Sequence, residues 1–373
     1  MNIVFTCGGT GGHIYPAIAV ANMFRRRVPD CRILFIGADG MEERIVPEAG
    51  FRMEKVEVSG FERKLTPAAL AHNVKTFFTL RRSLSKAGKL LREFDADVVL
   101  GTGGYASFPA LRAATINKIP CAVHESNAVP GLATKLVADH VDRIFVSFES
   151  CRASYGQPEK VTVTGTPVRE EFLYLDRESA RKKLGLDERP LVVSYWGSLG
   201  AREMNKIIAR FMRHNAADDA FQHIHATGSF GWRWMPEYVK KEGVELNEHP
   251  NIRMQEYISD MPTVMAAADL IICRAGAATI SEVLVAGVPA IIVPSPNVTN
   301  HHQEKNAQAL AENGAAVVLP ENACSGDLLY ETAKGLLADP DRMHRMRKAM
   351  AALAVVDSAE RIYEAVRELA ESR

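Results

Sequence analysis

Short apolar runs alternate with longer helical patterns from one end of the chain to the other, and this alternation constrains the fold most. The runs are rich in Val and Ile and mostly continuous in apolarity, which is typical of strands buried on both faces of a parallel sheet. Strands are predicted at residues 3–5, 32–36, 98–100, 121–124, 143–146 and 161–163, and again at 191–195, 222–226, 252–256, 270–273, 290–293 and 316–319. Helical patterns lie between them, for example over 17–27 and 277–286. The alternation predicts an α/β fold with doubly wound parallel sheets.

The strand–helix pattern stops and restarts once, near the middle of the chain. A length of 373 residues already favours two domains over one core. Gly165 and Pro167 end the last strand of the first set, because both residue types interrupt regular structure. We therefore predict two Rossmann-like domains, residues 1–165 and 166–357. The segment 358–373 has a charged helical pattern and is expected to return to the first domain.

The composition excludes several classes of protein. Hydrophobic residues make up 47% and charged residues 24% of the chain, as in globular proteins and not in disordered or fibrous ones. The formal net charge is zero, so nothing in the overall charge argues for a nucleic-acid partner. The six cysteines are scattered without a Cys-x-x-Cys pair, a pattern that predicts reduced thiols and not disulfides or zinc ligands.

The amino terminus and the apolar runs bear on any contact with a membrane. The segment MNIVFTCGG has no basic residues before its apolar run, so we interpret it as a first strand and not as a signal peptide. No stretch approaches the roughly 18 uncharged apolar residues of a membrane span. Any membrane contact is therefore expected to be peripheral.

Three glycine-rich segments each follow a predicted strand: residues 8–12 (GGTGG), 101–104 (GTGG) and 197–200 (GSLG). Glycine permits positive φ angles and close approach of the backbone to a ligand. N–H groups at a helix start have no partner within the helix and lie at the positive end of its dipole, so they bind phosphate groups. For any one segment a tight turn is an equally good interpretation. Three such segments at the carboxyl ends of strands favour a phosphate-bearing ligand.

The residues that follow these segments indicate which phosphate compound is bound. A dinucleotide site requires an acidic residue about 20 residues beyond the first segment. That region here reads FRRRVPD, with Asp30 as the sole candidate, which argues against a nicotinamide enzyme. In the second half, Glu282 falls near the first turns of the helix after strand 270–273. Its carboxylate could accept hydrogen bonds from both hydroxyls of a ribose. A carboxylate that only complements the helix dipole is the alternative.

Seven segments, taken together, resemble the MurG family of cell-wall glycosyltransferases, which is part of glycosyltransferase family 28. They are GGTGGHIYPA, GTGGYASFPA, HESNAVPGLATK, TGTPVR, WGSLGAREMN, CRAGAATISE and HHQEKNA, in the family's order and spacing, within a resemblance that runs from residue 3 to at least residue 310. The resemblance implies a GT-B architecture, in which two Rossmann-like domains face a deep cleft. It places the nucleotide donor on the second domain and the lipid-linked acceptor on the first.

The resemblance also implies the reaction. An inverting transferase of this family moves GlcNAc from UDP-GlcNAc to the C4 hydroxyl of MurNAc-pentapeptide-pyrophosphoryl-undecaprenol (lipid I), and the product, lipid II, serves peptidoglycan synthesis. Such an enzyme needs no cofactor and no metal, and it works as a peripheral protein on the cytoplasmic side of the cell (inner) membrane. The alternatives are a UDP-sugar epimerase of the same fold, a protein that only binds nucleotide sugars, and a dehydrogenase.

The expected binding residues come from the matching motifs, position by position. For the nucleotide, the resemblance implies contacts from Ile258 to the uracil, from Glu282 to the ribose, and from Ser198 and Arg169 to the phosphates or the nucleotide. The helix start beside the diphosphate is formed by Ala277, Ala278, Thr279, Ile280 and Ser281. The GlcNAc hydroxyls are assigned to Asn127 and Gln303, and further substrate contacts to Thr10, Gly11, Gly12, Tyr105 and His302.

Two residues are candidates for the base that takes the proton from the C4 hydroxyl. His13 is the first, because histidine side chains titrate near neutrality and this one opens the helix after the first glycine segment. In the alternative, His13 only orients the acceptor or caps the helix. Glu125, in VHESN, is the second candidate, and its alternative role is that of an ion-paired structural carboxylate. The leaving UDP is expected to be stabilised by Arg169 and the helix start near Ala277.

Acidic and histidine pairs are weak evidence for a metal site in this sequence. Asp95 and Asp97 precede strand 98–100, whereas ligands bind beyond the other end of a strand, so Asp97 is interpreted as a turn residue. Two histidine pairs lack carboxylate or cysteine neighbours at ligand spacing, and structural roles are the default for them. These are His223/His225 and His301/His302.

The segment 74–94 (VKTFFTLRRSLSKAGKLLREF) is both basic and amphipathic. Its large apolar residues are Phe77, Phe78, Leu80, Leu84, Leu90 and Leu91, and its basic residues are Lys75, Arg81, Arg82, Lys86, Lys89 and Arg92. A segment of this kind can lie on anionic lipid. The alternative is a surface helix that packs its apolar stripe on the sheet. Because the implied acceptor is held in a membrane, we expect an anionic membrane surface as a partner.

Overall fold

The computed structural model describes residues 1–58, 60, 66–174, 176–298 and 301–372. The chain divides into two units: unit 1 comprises Met1–Arg169 and Val355–Arg373, and unit 2 comprises Glu170–Ala354. The strands of unit 1 are β1 (Asn2–Thr6), β2 (Arg32–Gly37), β3 (Arg52–Lys55), β4 (Val98–Gly101), β5 (Cys121–Glu125), β6 (Arg143–Val146) and β7 (Val161–Val163). Those of unit 2 are β8 (Leu191–Tyr195), β9 (Gln222–Ala226), β10 (Ile252–Gln255), β11 (Leu270–Cys273), β12 (Ala290–Ile292) and β13 (Ala316–Val318).

Helices connect most of these strands. They are α1 (Gly11–Arg27), α2 (Glu42–Glu48), α3 (Pro67–Phe94), α4 (Ser107–Ile116), α5 (Leu132–Ala138), α6 (Arg177–Lys183), α7 (Arg202–Asp218), α8 (Ser229–Trp232), α9 (Met235–Lys241), α10 (Met261–Ala267), α11 (Ala277–Ala286), α12 (His302–Ala311), α13 (Gly326–Leu337), α14 (Pro340–Leu353) and α15 (Ser358–Glu371). Short 3-10 helices occur at Glu149–Ser154, Pro158–Lys160, Glu170–Phe172, Leu246–Glu248 and Glu321–Ala323. Within the described ranges, no helix has both the length and the apolar content needed to cross a membrane.

Each unit is built on one parallel sheet. The order is β3-β2-β1-β4-β5-β6-β7 in unit 1 and β10-β9-β8-β11-β12-β13 in unit 2. In both sheets the chain leaves a central strand in one direction and later returns to its other side, between β1 and β4 in unit 1 and between β8 and β11 in unit 2. This reversal is the doubly wound arrangement, so the predicted α/β class is confirmed. Ligands bind such sheets beyond the carboxyl ends of the strands at the reversal.

The apolar runs predict the strand positions well, with end points that differ by about one residue. Strand β3 has no predicted counterpart, because its sequence RMEK is mostly charged. Among the described residues it lies at the edge of its sheet and pairs only with β2, so it lacks the two buried faces that produce a continuous apolar run. Helix α1 begins at Gly11, well before the apolar pattern that starts at Ala17. The glycine motif itself therefore forms the first turn of α1.

Two layers of aromatic side chains join α1 and α15 to the sheet of unit 1. Phe5 on β1 stacks on Phe35 of β2, with ring centroids 5.2 Å apart. Phe24 on α1 lies against Tyr363 on α15, with ring centroids 4.6 Å apart. Outside this contact, the guanidinium of Arg27 forms an ion pair with Glu360. Helix α15 therefore completes the core of unit 1 although it follows unit 2 in the chain.

A chain of buried polar side chains crosses the centre of unit 2. Asn205 donates through Nδ2 to the carbonyl of Thr227 (2.8 Å), so its Oδ1 accepts from His225 Nε2 (3.2 Å). His225 Nδ1 lies 2.7 Å from Ser194 Oγ and 3.1 Å from the carbonyl oxygen of Ser194, and the same Oγ lies 2.7 Å from His223 Nε2. Burial lowers the pKa of His225 to about 3 and the pKa of His223 well below its usual value. The structural interpretation of this histidine pair is therefore confirmed.

We predict that unit 2 loses stability as the pH falls below about 6.5. The unfolded chain takes up protons at His223 and His225 near that pH, whereas the folded pKa of His225 is about 3. The free energy of unfolding should therefore fall by about 1.4 kcal/mol per pH unit for each of the two histidines. All three tryptophans, Trp196, Trp232 and Trp234, lie in unit 2, so urea unfolding followed by tryptophan fluorescence reports on this unit.

The control for this measurement is a pair of histidine variants. His225→Gln should reduce the slope of the unfolding free energy against pH by about 1.4 kcal/mol per pH unit, because one histidine fewer takes up a proton on unfolding. His344→Gln, at an exposed position of unit 2, should leave this slope unchanged. A stability that stays level between pH 6.5 and pH 5 would contradict the prediction.

Candidate functional site

The two glycine segments of unit 1 lie against each other at the carboxyl ends of β1 and β4. Gly104 has a φ of +81°, and a methyl group at this position would collide with the carbonyl oxygen of Gly8. The chain after β4 therefore rests on the chain after β1, backbone against backbone. Glycine is required here for both the conformation and the close approach. The sheet order places β5 beside β4, so the loop after β5 follows along the same edge.

The imidazole of His13 is held between these two segments. His13 is the third residue of α1, and its Nδ1 lies 3.1 Å from the carbonyl oxygen of Thr102. Thr102 Oγ1 donates in return to the carbonyl of His13 (2.6 Å). A methyl group at Gly103, whose φ is +104°, would come within 2.6 Å of the same Nδ1. Because a carbonyl only accepts, the neutral ring carries its proton on Nδ1, and the lone pair is on Nε2.

Glu125 ends strand β5 and is only 3% exposed. Its Oε1 accepts from the backbone N–H (3.0 Å) and the side-chain amide (3.1 Å) of Asn127. Its Oε2 accepts from Gly131 N–H (2.9 Å) and Thr134 Oγ1 (2.8 Å). These four donors occupy the acceptor positions of the carboxylate and fix the loop that leads into α5. The arrangement favours the structural role for Glu125, although its partners are hydrogen-bond donors and not a cation.

The other predicted residues of unit 1 lie around the glycine segments. Thr10 is extended and exposed immediately before α1, and Gly11 and Gly12 form the first turn of the helix. The side chain of Tyr105, directly after Gly104, is 60% exposed. Arg169 is the last residue of unit 1 before unit 2 begins, and its guanidinium carbon lies 5.1 Å from the ring centroid of Tyr15.

In unit 2, the start of helix α11 follows β11 directly. Its N-cap residue is Gly276, which has no side chain to accept from the first N–H groups of the helix. The backbone N–H groups of Ala277, Ala278 and Thr279 therefore point toward the position of an external anion, at the positive end of the helix dipole. Glu282 is on the second turn and half-buried, close enough to Cys273 to raise the pKa of that buried thiol further. Ile280 is buried, and Ser281 Oγ donates to the carbonyl of Ala277 (3.1 Å).

Four further predicted residues lie after β8, β10 and β12. The segment 197–200 is a turn closed by the N–H of Gly200 donating to Gly197 (3.1 Å), and the carbonyl of Ser198 accepts from Ser229 (3.0 Å). Ile258 is buried in the loop between β10 and α10. Gln303, next to His302 at the start of α12, accepts through Oε1 from the N–H of Ser295 (2.9 Å). All of them lie at the carboxyl edge of the sheet, and their contacts with substrate remain predictions.

Arg274 is a residue of this edge that the sequence interpretation missed. Its Nη1 donates to the carbonyls of Val293 (3.0 Å) and Pro294 (3.2 Å), and its Nη2 pairs with Glu321. The guanidinium carbon also lies 5.9 Å from the ring centroid of Trp196. Arg274 therefore connects the loops after β8, β11, β12 and β13. The available signal was one arginine directly before Ala275 and Gly276, in a loop that a Rossmann-like fold uses for ligands.

Asp97, the second residue of the acidic pair before β4, has a structural role. Asp97 accepts the backbone N–H of Asn2 through Oδ2 (2.7 Å), at the amino end of the strands. This contact confirms that Asp97 serves the local structure. Among the residues that the structure describes, no group of three or more His, Cys, Asp or Glu side chains could hold a metal ion.

Comparison with known proteins gives matches over the whole chain. The glycosyltransferase family 28 N-terminal domain matches residues 3–146, and the glycosyltransferase family 28 C-terminal domain matches residues 192–362. A protein of Acetivibrio thermocellus named UDP-N-acetylglucosamine–N-acetylmuramyl-(pentapeptide) pyrophosphoryl-undecaprenol N-acetylglucosamine transferase is 41% identical over 375 residues, which cover 100% of this chain and 99% of that protein.

Solved structures give the same fold. MurG of Acinetobacter baumannii matches with a TM-score of 0.74 at 23% identity, over 98% of this chain and 99% of that one. A UDP-GlcNAc 2-epimerase of Neisseria meningitidis, bound to UDP-GlcNAc, matches with a TM-score of 0.67 at 13% identity, over 99% of this chain and 100% of that one. Together with the two parallel sheets, these matches confirm the GT-B fold class. The sequence matches show the family as well as the fold, and the chain belongs to glycosyltransferase family 28.

Proposed function

We propose that this chain transfers GlcNAc from UDP-GlcNAc to the C4 hydroxyl of the MurNAc-pentapeptide of lipid I and so produces lipid II. The observation that carries the proposal is the sequence similarity of the whole chain to proteins named for this transfer. The Acetivibrio thermocellus protein, for example, is 41% identical over 375 residues. In the reaction, a bond forms between the C4 oxygen and the anomeric carbon while the bond from that carbon to the UDP oxygen breaks. An α-linked donor gives a β-linked product. The hydroxyl loses a proton, and UDP leaves with an additional negative charge.

His13 is the base in this proposal. With its Nδ1–H donated to the carbonyl of Thr102, the neutral ring has its lone pair on Nε2, and this is the atom assigned to take the hydroxyl proton. The carbonyl accepts the same N–H after protonation, so the ring does not have to turn during the step. Gly103 and the carbonyl of Thr102 hold the ring on one side, which fixes the direction of Nε2. Glu125 is assigned the positioning of Asn127 instead, because all four of its acceptor positions are occupied.

The donor is held by unit 2 in this proposal. The free N–H end of α11 addresses the diphosphate, and the half-buried carboxylate of Glu282 accepts from the ribose hydroxyls. Backbone groups at Ile258 contact the uracil. The helix end is already in place before the reaction, so it stabilises the leaving diphosphate without reorganisation. Arg274 supports this arrangement by tying the loops after β11 and β12.

The front half of α3 is the surface that we assign to the membrane. Leu70, Val74, Phe77 and Phe78 recur at helical spacing, and each is more than half exposed, Phe77 51% and Phe78 57%. The exposed cations Lys75, Arg81 and Arg82 flank them. We call these seven residues the α3 patch. An exposed apolar stripe flanked by cations suits the headgroup region of an anionic bilayer.

The second half of α3 packs on the sheet, which is the alternative role that the sequence left open for this segment. Leu91 and Phe94 are buried in the core of unit 1 with Ala87, and Leu84 and Leu90 are half-buried. This part of the helix packs its apolar stripe on the sheet. The basic amphipathic segment 74–94 therefore divides into an exposed end and a packed end.

The proposed reaction is tested by transfer of radiolabelled GlcNAc from UDP-GlcNAc to a lipid I analogue. We expect a disaccharide-lipid product and no epimerised nucleotide sugar. His13→Ala should lower kcat by about 100-fold or more, since it removes the base. Affinity for UDP-GlcNAc, measured by calorimetry, should change by less than about threefold, because the ring does not bind the donor.

The matched control is His140→Ala, an exposed histidine of the same unit, which should keep the wild-type kcat. Wild-type turnover in the His13 variant would remove this residue from the role of base. Epimerised sugar in place of the disaccharide-lipid would overturn the proposed reaction itself.

The α3 patch is tested by sedimentation with vesicles that contain phosphatidylglycerol. Each cation near an anionic surface contributes about 1 kcal/mol, so Arg81→Glu with Arg82→Glu should weaken binding by at least about 30-fold. Phe77→Ser with Phe78→Ser should weaken it by a similar factor, because two apolar rings no longer enter the bilayer. Lys240→Glu with Lys241→Glu reverses the same number of charges on α9 and should have no effect. Unchanged binding of both patch variants would exclude this surface.

A further inference from the structure

Glu42 is a buried carboxylate beneath the first glycine segment that the proposed reaction does not use. It is the first residue of α2 and only 1% exposed. Its Oε2 accepts from the backbone N–H of Gly9 (3.0 Å), and its Oε1 accepts from the backbone N–H of Ala38 (3.1 Å). The carboxylate thus joins the loop after β1 to the loop after β2.

The surrounding chain is shaped to admit this side chain. A methyl group at Gly8 would collide with the carboxylate, and one at Gly37 would come within 2.9 Å of Glu42 Cγ. The N–H of Gly9, which the sequence pattern suggests for a phosphate, is already donated to Glu42. A buried carboxylate at this position also repels an anion at Gly9. This part of the segment is therefore held by an anion of the protein itself.

We infer that Glu42 is a positioning residue for His13, through its hydrogen bond to the glycine segment that leads into α1. The path is short. Glu42 fixes Gly9, Thr10 is the N-cap residue of α1, and His13 is on the first turn of that helix. The same segment supports the chain after β4, since Gly104 rests on Gly8 and Thr102 bonds the imidazole. Both contacts that orient the ring therefore depend on the conformation that Glu42 holds. The inference rests on the proposed function only in assigning a catalytic consequence to this geometry.

The test compares Glu42→Gln with Glu43→Gln in the full-length protein. The amide of Glu42→Gln turns one acceptor oxygen into a donor, which must face a backbone N–H. We expect kcat to fall by about 100-fold, as small misplacements of a reacting group do. The KM for UDP-GlcNAc should stay within about threefold of wild type, because the donor residues are in unit 2. Glu43 is the neighbouring exposed residue, paired with Lys55, and its variant should match wild type.

A second readout does not require activity. Hydrogen exchange of a peptide that spans residues 5–15 should be faster in Glu42→Gln than in wild type and unchanged in Glu43→Gln, because the bond to Gly9 N–H is lost. Glu42→Asp keeps the charge but shortens the side chain, so it should give an intermediate kcat and partial rescue of the slow exchange. If Glu42→Gln does not fold, Glu42→Asp decides by the same two measurements.

Two results would overturn the inference. One is a folded Glu42→Gln protein with wild-type kcat and wild-type exchange in residues 5–15. The other is faster exchange throughout unit 1 together with an equal loss of kcat and donor affinity, which is the result of general destabilisation. An inactive wild-type protein would instead contradict the proposed function, and the exchange measurement would still test the role of Glu42.

Discussion

At the carboxyl ends of the parallel strands, the backbone of one loop lies directly against the backbone of the next. The other features of the site depend on this close contact. In unit 1 the carbonyl of Gly8 and the Cα of Gly104 are closer than any side chain permits. This contact brings the ends of β1 and β4 together, and the imidazole of His13 lies on the pair. In unit 2 the corresponding strand ends are joined through Arg274, whose guanidinium reaches carbonyls after β12. Unit 2 also has a close backbone contact at a glycine, since a methyl group at Gly200, after β8, would collide with the carbonyl of Thr227, after β9. The guanidinium of Arg274 adds a second connection between strand ends of this unit.

Buried carboxylates hold two of the loops in unit 1. Glu42 and Glu125 are both almost fully buried, and both accept from backbone N–H groups in the loops after strands. A hydrogen bond to an ionised acceptor is stronger than a neutral one, and it leaves a costly buried charge if it breaks. The two carboxylates therefore tie these loops to the sheet at defined points. A loop of this kind can present small residues to a substrate without a hydrophobic core of its own.

The periodicity of apolar residues predicts strands and helices that leave a local pattern in the sequence. It does not predict contacts between residues that are far apart in the chain. The Val- and Ile-rich runs locate the strands because burial on both faces leaves a local signal. Strand β3 is invisible to this criterion, since an edge strand of charged residues resembles a loop in sequence. The glycine motifs locate the site edges, but nothing local predicts that Gly9 bonds to Glu42 or that Arg274 bonds to Val293. The start of α1 is placed two residues late, at His13 instead of Gly11, because glycine has low helix propensity and only the packed structure stabilises helix there.

Helix α15 has a consequence for the order in which the protein is made. It supplies Tyr363 to the ring cluster around Phe24, yet all of unit 2 precedes it in the chain. During synthesis from the amino terminus, the first sheet leaves the ribosome with an open apolar face on α1, and unit 2 can complete its own core before that face is covered. The growing chain must therefore keep a partly assembled first unit from aggregating until its last helix emerges, and any premature stop within unit 2 leaves that face without its cover.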